Sequence, residues 1–123
     1  MPERTLRGCR ILVVEDEFML ADDLATELGD VGAIVLGPVG TLDQALDLVA
    51  AEARIDGAIL DVNLGGEAVF PAADLLLARA VPLVFTTGYG GSAMPERFGH
   101  VVRCEKPISI KLITKAIGRV MRA

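Results

Sequence analysis

Short apolar runs alternate along the chain with stretches in which apolar residues recur at helical spacing. The first run, residues 11–14, is short and rich in β-branched residues, which is typical of a buried strand. Gly29 and Gly32 predict the end of the helix that follows it. The apolar face of this helix consists of Leu20, Leu24, Leu28 and Val31. The chain is therefore predicted to begin with a strand and an amphipathic helix.

The same alternation predicts four further strands. We expect Gly37-Pro38 to stop the second strand, and Asp61 to follow the third strand directly. Pro82 lies near the entry of the fourth. These four strands are predicted over residues 33–36, 58–60, 81–87 and 101–104.

Three longer helices are predicted between and after these strands. Thr41 and Gln44 match the capping box that starts a helix, and Pro71 suits the first turn of the next one. A last helix is predicted over residues 108–121, whereas the glycines and Pro95 within residues 88–99 predict at most a short helix there. The positions predicted to face the core are Leu42, Ala45, Leu46 and Val49, then Ala73, Leu76, Leu77 and Ala80, and finally Leu112, Ile113, Ala116, Ile117 and Val120.

Strands and helices thus alternate five times, which predicts a doubly wound α/β fold. In such a fold a five-stranded parallel sheet carries helices on both faces. The strands read as continuous apolar runs, as parallel strands covered on both faces do. The chain has 123 residues, close to the common size of one domain. We therefore expect a single domain over residues 1–123, with no room for an output domain.

Charge and composition narrow the possible functions. Seventeen acidic residues against twelve basic ones give a formal charge of −5, which argues against nucleic acid as a partner. No apolar run approaches the roughly 18 residues of a membrane span, and residues 11–14 are too few for a signal peptide core. We expect a cytoplasmic protein without a membrane partner, whose Cys9 and Cys104 stay reduced. The single histidine excludes a multi-histidine metal site.

Polar residues that can carry chemistry stand where the predicted strands end. In an open parallel sheet, ligands bind beyond the carboxyl ends of the strands. Each of these residues alone has an ordinary explanation as a helix cap, turn residue, strand former or surface charge. They are Glu15, Asp16 and Glu17 after the first strand, Asp61 after the third, Thr86 and Thr87 in the fourth, and Lys106 and Pro107 after the fifth.

Taken together, these residues indicate phosphoryl chemistry. Clustered carboxylates repel one another unless a cation holds them, and oxygen ligands of this kind suit Mg²⁺. A carboxylate such as Asp61 can also act as a nucleophile, as in enzymes that form an aspartyl phosphate. Lys106 and Thr87 could then neutralise and contact the oxygens of a phosphoryl group.

At these positions the sequence resembles the receiver domains of response regulators in bacterial two-component systems, over essentially the whole chain. The motif is the acidic pair Glu15-Asp16, then Asp61, Thr87 and Lys106-Pro107. A closer resemblance is to alphaproteobacterial receivers with a Phe-x-Thr-Gly-Tyr segment, the FATGUY group. The matching segments are Phe85-Thr86-Thr87-Gly88-Tyr89, Asp61-Val62-Asn63-Leu64, Gly66-Glu67 and Gly37-Pro38.

The resemblance implies a flavodoxin-like fold with strand order 2-1-3-4-5. It also implies that Asp61 accepts a phosphoryl group from a sensor histidine kinase or a phosphotransfer protein, and that the domain signals to a downstream protein target. Such a domain is a switch that catalyses only its own phosphorylation and dephosphorylation. Mg²⁺ would be the cofactor, with Asp16, Asp61 and the backbone carbonyl of Asn63 as ligands and Glu15 acting through a water or as an outer ligand. Thr87 and Lys106 would contact the phosphoryl oxygens.

Two features depart from the general pattern of this family. Arg103 stands three residues before Lys106, where many receivers carry an aromatic ring, and we expect its charged head to lie towards solvent or an acidic neighbour. Glycines surround Tyr89, so residues 88–99 could reorder on phosphorylation. The alternative is that Tyr89 is a fixed packing residue.

Three other functions fit the sequence less well. A pseudo-receiver would bind a partner without phosphorylation, but it would lack an acidic, Asp or Lys element that is present here. A phosphatase of the haloacid dehalogenase type would carry an acid two residues after its nucleophile, where this chain has Asn63. A flavin-binding domain of the same fold would cradle a phosphate after the first strand, where residues 15–17 would repel it.

Overall fold

In the computed structural model, residues 6–88, 94–107 and 109–122 are described, and they form a parallel sheet flanked by helices. The strands are β1 Arg10–Val14, β2 Ile34–Val39, β3 Gly57–Asp61, β4 Asn63–Leu64, β5 Glu67–Ala68, β6 Leu83–Thr87 and β7 Val102–Glu105. The main sheet has the order β2-β1-β3-β6-β7, and all of its pairs are parallel. With the small β4–β5 hairpin set apart, this is the predicted order 2-1-3-4-5.

The helices are α1 Phe18–Asp30, α2 Leu42–Ala51, α3 Phe70–Ala78 and α4 Ile110–Arg122. The predicted cap of α2 is confirmed, because the Thr41 hydroxyl accepts a hydrogen bond from the backbone N–H of Gln44 at 3.1 Å. The Gln44 side chain reaches back to the N–H of Gly40, also at 3.1 Å, rather than to that of Thr41. Pro71 lies in the first turn of α3, as expected.

Two hydrophobic cores lie on opposite faces of the sheet, because successive strand residues point to opposite sides. In β3, Ile59 faces α1 and α4, while Leu60 faces α2 and α3. On the α2–α3 side, the rings of Phe70, Phe85 and Phe98 pack together with centroids 5.1–6.0 Å apart. Burial of each such side chain contributes roughly 1.5–3 kcal/mol to the free energy of unfolding. The two cores therefore stabilise the sheet from both faces.

The prediction that Gly37-Pro38 stops the second strand was wrong, since β2 continues through both residues to Val39. As an edge strand, β2 needs a hydrogen-bonded neighbour on one side only, so the missing N–H of Pro38 is tolerated there. Gly37 has φ +92°, and the pairing register with β1 shifts between Leu12 and Val14. The predicted stop is therefore a local irregularity within the strand.

Two residues predicted to face the core are exposed instead. Leu112 keeps 57% of its surface in solvent, because the buried stripe of α4 centres on Ile113 and Ile117. Ala80 lies beyond the end of α3 and adopts φ +58° in the turn that leads to β6. In both cases the predicted helical spacing was correct. The predicted rotation of α4 was wrong for Leu112, and the predicted end of α3 was wrong for Ala80.

The region between β6 and β7 is described only in part. Glu96–Phe98 form a single 3₁₀ turn, in keeping with a short helix, while residues 89–93, and with them Tyr89, lie outside the described residues. In the described ranges, no helix combines the length and apolar character needed to cross a membrane. Cys9 and Cys104 are free thiols.

Candidate functional site

Three carboxylates meet where β1 and β3 end side by side. The two strands are hydrogen-bonded neighbours with Val14 paired to Leu60, so the residues that follow, Glu15 and Asp61, lie together. One carboxylate oxygen from each of Glu15, Asp16 and Asp61 lies within 4.8 Å of the others. Glu15 and Asp61 are each only 3% exposed, whereas Asp16 is exposed. The three acids that the sequence predicted to meet at this edge of the sheet therefore do lie close together.

The ammonium group of Lys106 lies against the buried pair. Its Nζ donates to Asp61 Oδ2 at 3.0 Å and to Glu15 Oε2 at 3.2 Å. Glu17 Oε2 is 3.9 Å from the same atom. The backbone N–H of Lys106 donates to the carbonyl oxygen of Thr87 at 2.7 Å, which fixes the start of this side chain at the end of β6. A single positive charge thus faces several negative ones.

Backbone N–H groups also donate to both buried carboxylates. Asp61 Oδ1 accepts from the N–H of Asn63 at 3.1 Å, and Glu15 Oε2 accepts from the N–H of Glu17 at 3.0 Å. Within the described part of the chain, Glu15 Oε1 is buried without a hydrogen-bond partner. A buried oxygen without a partner is costly, so the site can accept an additional hydrogen-bond donor or a cation.

The ionisation of Glu15 is strongly perturbed by its surroundings. The pKa of Glu15 is raised to about 7, chiefly by burial and also by the hydrogen bond and negative charge of the neighbouring Asp61. The N–H of Glu17 and the charge of Lys106 act in the opposite direction without cancelling the effect. For Lys106, burial lowers the pKa, but hydrogen bonding to Asp61 and the charges of Asp61 and Glu15 outweigh it, so the pKa is raised. The ammonium is therefore held in its charged form.

The β4–β5 hairpin stands directly beside the cluster, and it was not among the predicted elements. Asn63 Oδ1 accepts from the N–H of Gly66 at 2.8 Å, which turns this side chain into the hairpin. Gly65 and Gly66 both have positive φ, at +61° and +98°. A Cβ at Gly65 would lie 3.8 Å from Asp16 Oδ2. Two glycines between short strand-like pairs are the signal that could have found this turn.

The two threonines at the end of β6 lie on opposite faces of the sheet. Thr87 is buried at 4% exposure, and by strand alternation it shares the α2–α3 face with Phe85. Thr86 pairs with Asp61 across the ladder. Among the described residues its hydroxyl is buried without a partner. The alternation already present in the sequence could have separated the two threonines, although only Thr87 was singled out.

The remaining residue that departs from the family pattern is placed as expected. Arg103 in β7 is exposed, in keeping with the prediction that its charged head lies away from the core. It pairs in register with Phe85 of β6. Tyr89 falls in the part of the chain that is not described.

Several known proteins are similar to this chain in sequence and in fold. No family model matches the chain. The structure of SdrG from Sphingomonas melonis is 37% identical, has a TM-score of 0.80, and is matched over 94% of this chain and 98% of that one. A response regulator receiver protein from Sinorhizobium medicae, 21% identical, has a TM-score of 0.79 over 96% of this chain and 98% of that chain, and supports the fold alone.

A curated relative extends beyond the matched region. The phyllosphere-induced regulator PhyR of Methylorubrum extorquens is 35% identical over 108 residues, which are 85% of this chain. The match spans only 37% of the length of PhyR. The similarity to PhyR therefore concerns one part of a longer protein.

Proposed function

Because the chain belongs to the receiver domains of response regulators, we propose that it accepts a phosphoryl group on Asp61 in a Mg²⁺-dependent reaction. Receiver domains are signalling switches rather than metabolic enzymes. The observation that carries the proposal is the placement of the Asp61 carboxylate, buried at the sheet edge between Lys106 and the acids that follow β1. Among the described carboxylates Glu15 shares burial, a lysine partner and neighbouring acids. Its raised pKa favours the protonated form, which is the poorer nucleophile, so Asp61 is the better acceptor.

The side chains at this edge fit a divalent cation. Glu15, Asp16 and Asp61 offer oxygen ligands, the type that Mg²⁺ prefers, and Glu15 Oε1 is buried without a described partner. Asp16, Asp61 and the backbone carbonyl of Asn63 would hold the ion directly, with Glu15 as an outer ligand. When bound, Mg²⁺ would supply charge neutralisation for phosphoryl oxygens.

The residues around Asp61 suit a phosphoryl transfer. An Asp61 carboxylate oxygen would attack the phosphorus of a phosphohistidine, so that one P–O bond forms, one P–N bond breaks and the imidazole nitrogen keeps the electron pair. Lys106, now paired with Asp61 at 3.0 Å, would move to the phosphoryl oxygens. By strand alternation Thr87 lies on the α2–α3 face of the sheet, whereas Asp61 shares the opposite face with Ile59. The Thr87 hydroxyl would therefore have to turn towards the phosphoryl group, and this movement would couple phosphorylation to a change in conformation.

The partners follow from this chemistry. A sensor histidine kinase or a phosphotransfer protein would supply the phosphoryl group, and a downstream protein target would read the changed surface. Both encounters would take place in the cytoplasm. The domain itself would catalyse only its own phosphorylation and dephosphorylation.

The decisive experiment is phosphorylation with acetyl phosphate, followed by intact-protein mass spectrometry. We expect the wild type to gain one phosphoryl group with Mg²⁺ and none in EDTA, and Asp61→Asn to gain none. Asp56→Asn, at the opposite end of β3, is the matched control and should label normally. Unchanged labelling of Asp61→Asn would overturn the assignment of the acceptor. A wild type that takes neither a phosphoryl group nor beryllofluoride would instead support the pseudo-receiver alternative.

A further inference from the structure

The outer face of α1 is acidic. Asp22, Asp23 and Asp30 are all exposed on this helix, and its sequence contains no lysine or arginine. None of these three carboxylates makes an ion pair with another residue in the described ranges. Met19, on the same helix, is 75% exposed. The face thus combines unpaired negative charge with apolar surface.

The outer face of the neighbouring helix α4 is basic. Lys111, Lys115 and Arg119 are exposed at successive turns, and the helix contains no aspartate or glutamate. Leu112, at 57% exposure, lies among them. α1 and α4 pack side by side on one face of the sheet. An acidic ridge and a basic ridge therefore run next to each other.

Two of these charges oppose the dipole of the helix that carries them. Asp30 ends α1, where the helix dipole disfavours a negative charge, and Lys111 lies in the first turn of α4, where it disfavours a positive one. One ion pair links the two ridges, between Lys111 and Glu27 at 3.6 Å. The dipoles of their own helices therefore do not explain the charges at Asp30 and Lys111.

We propose that this face binds a second copy of the chain, with the acidic ridge of each copy on the basic ridge of the other. Because α1 and α4 each follow a strand of one parallel sheet, they run in the same direction. A twofold axis along that direction places α1 of one copy over α4 of its partner, twice per dimer. Opposite charges then meet at both contacts, with Met19 and Leu112 among them. The arrangement makes the face self-complementary.

The size and charge of the face indicate a weak association. Each helix has 13 residues and is therefore about 20 Å long. Two such helices side by side offer less than the roughly 800 Å² per partner of a standard stable interface. The net charge of −5 on each copy also opposes association at long range. We expect a dimer that forms at high protein concentration and low salt. The proposal rests on α1 and α4 alone and does not depend on phosphorylation of Asp61.

Sedimentation equilibrium of the full chain, from low micromolar to near-millimolar concentration, tests the proposal. At low ionic strength the wild type should show a monomer–dimer equilibrium, and about 0.5 M salt should weaken it at least tenfold because charges beyond a few Å are then screened. A wild type that stays monomeric at every concentration, or a dimer insensitive to salt, would overturn it.

Charge reversal identifies the surface. Asp23→Lys/Asp30→Lys and Lys115→Glu/Arg119→Glu should each be monomeric, and an equimolar mixture should form a heterodimer because each reversed ridge then meets its opposite. Asp43→Lys/Asp47→Lys on α2 is the matched control and should dimerise like the wild type. Circular dichroism checks that each variant is folded. Asp30→Lys should not destabilise α1, because the helix dipole favours a positive charge at the C-terminal end. Two monomeric variants that do not associate when mixed would contradict ridge-on-ridge pairing.

Discussion

At the scale of single residues, Glu15 shows how burial and function compete. Its side chain is almost fully buried beside Asp61, and Lys106 provides one positive charge for both carboxylates. A protein selected only for stability would place an apolar residue here, since buried ion pairs rarely outperform well-packed hydrophobic groups. The cost is explained if the cluster exists to hold a cation and a phosphoryl group.

The raised pKa of Glu15 makes the metal-free protein sensitive to pH. Its pKa is about 7 in the folded protein against an ordinary 4.5, so the folded state binds more protons than the unfolded state between these values. The free energy of unfolding should therefore fall as pH rises from 4.5 to 7, by up to about 3 kcal/mol. Urea unfolding in EDTA across this range measures the change. Glu15→Gln is the control, and a wild-type profile that parallels this variant would refute the assignment.

The two acids that follow β1 should differ in their contribution to metal binding. Asp16 is exposed and lies beside the hairpin, whereas Glu15 is occupied by Lys106. We expect Asp16→Ala to weaken Mg²⁺ binding more than tenfold and Glu15→Ala to weaken it less, as measured by calorimetric titration.

Stability without metal should follow the opposite order. In EDTA, Asp16→Ala should melt at or above the wild-type temperature because it relieves repulsion, while Glu15→Ala should melt lower because it leaves Lys106 with one partner fewer. A marked drop for Asp16→Ala in EDTA would argue against a repulsive acidic cluster.

At the scale of elements, the β4–β5 hairpin depends on the backbone of two glycines. Gly65 has φ +61°, which asparagine tolerates, whereas Gly66 at φ +98° suits glycine alone. Gly66→Ala should lower the free energy of unfolding by about 1–2 kcal/mol. Gly65→Asn should leave it within about 0.5 kcal/mol of wild type, and chemical denaturation compares the two. Equal losses would show that the turn differs from the one described.

The sequence predicted the elements well where their type and ends depend on local sequence signals. The order of strands and helices, the cap at Thr41 and the first turn at Pro71 were all confirmed. The errors arose where position depends on tertiary packing. The orientation of Leu112 depends on how α4 rotates on the sheet, and the path of β2 through Pro38 depends on its place at the edge.

The acidic cluster could be predicted from the sequence because strand ends in a parallel sheet share one edge. Glu15, Asp61 and Lys106 each lie at the carboxyl end of a strand, so topology alone brings them together. The sequence could not predict the distances within the cluster or the unpartnered oxygen of Glu15, because both depend on side-chain rotamers. It also could not predict the hairpin beside Asp16, because that hairpin depends on a turn of only two residues.

At the scale of the whole molecule, binding of a cation at one edge should stabilise the entire fold. If Mg²⁺ binds only the folded state, a concentration ten times its Kd adds about 1.4 kcal/mol. For a domain of this size the melting temperature should rise by about 5 °C. Calorimetric melting with and without Mg²⁺ measures the shift. Asp61→Asn should lose most of it and Asp56→Asn should keep it; equal shifts in both would mean that the ion binds elsewhere.

The irregular course of β2 has a consequence for self-assembly. An open sheet exposes an unpaired strand at each side, to which a strand from another molecule could add. On one side, Pro38 lacks an N–H and Gly37 breaks the register, so an incoming strand would find an interrupted ladder. On the other side, Arg103 and Glu105 place exposed charges along β7. The sheet therefore resists growth into fibrils at both margins. Replacing Arg103 and Glu105 by neutral residues, or Pro38 by a residue with an N–H, should lower the concentration at which the protein aggregates.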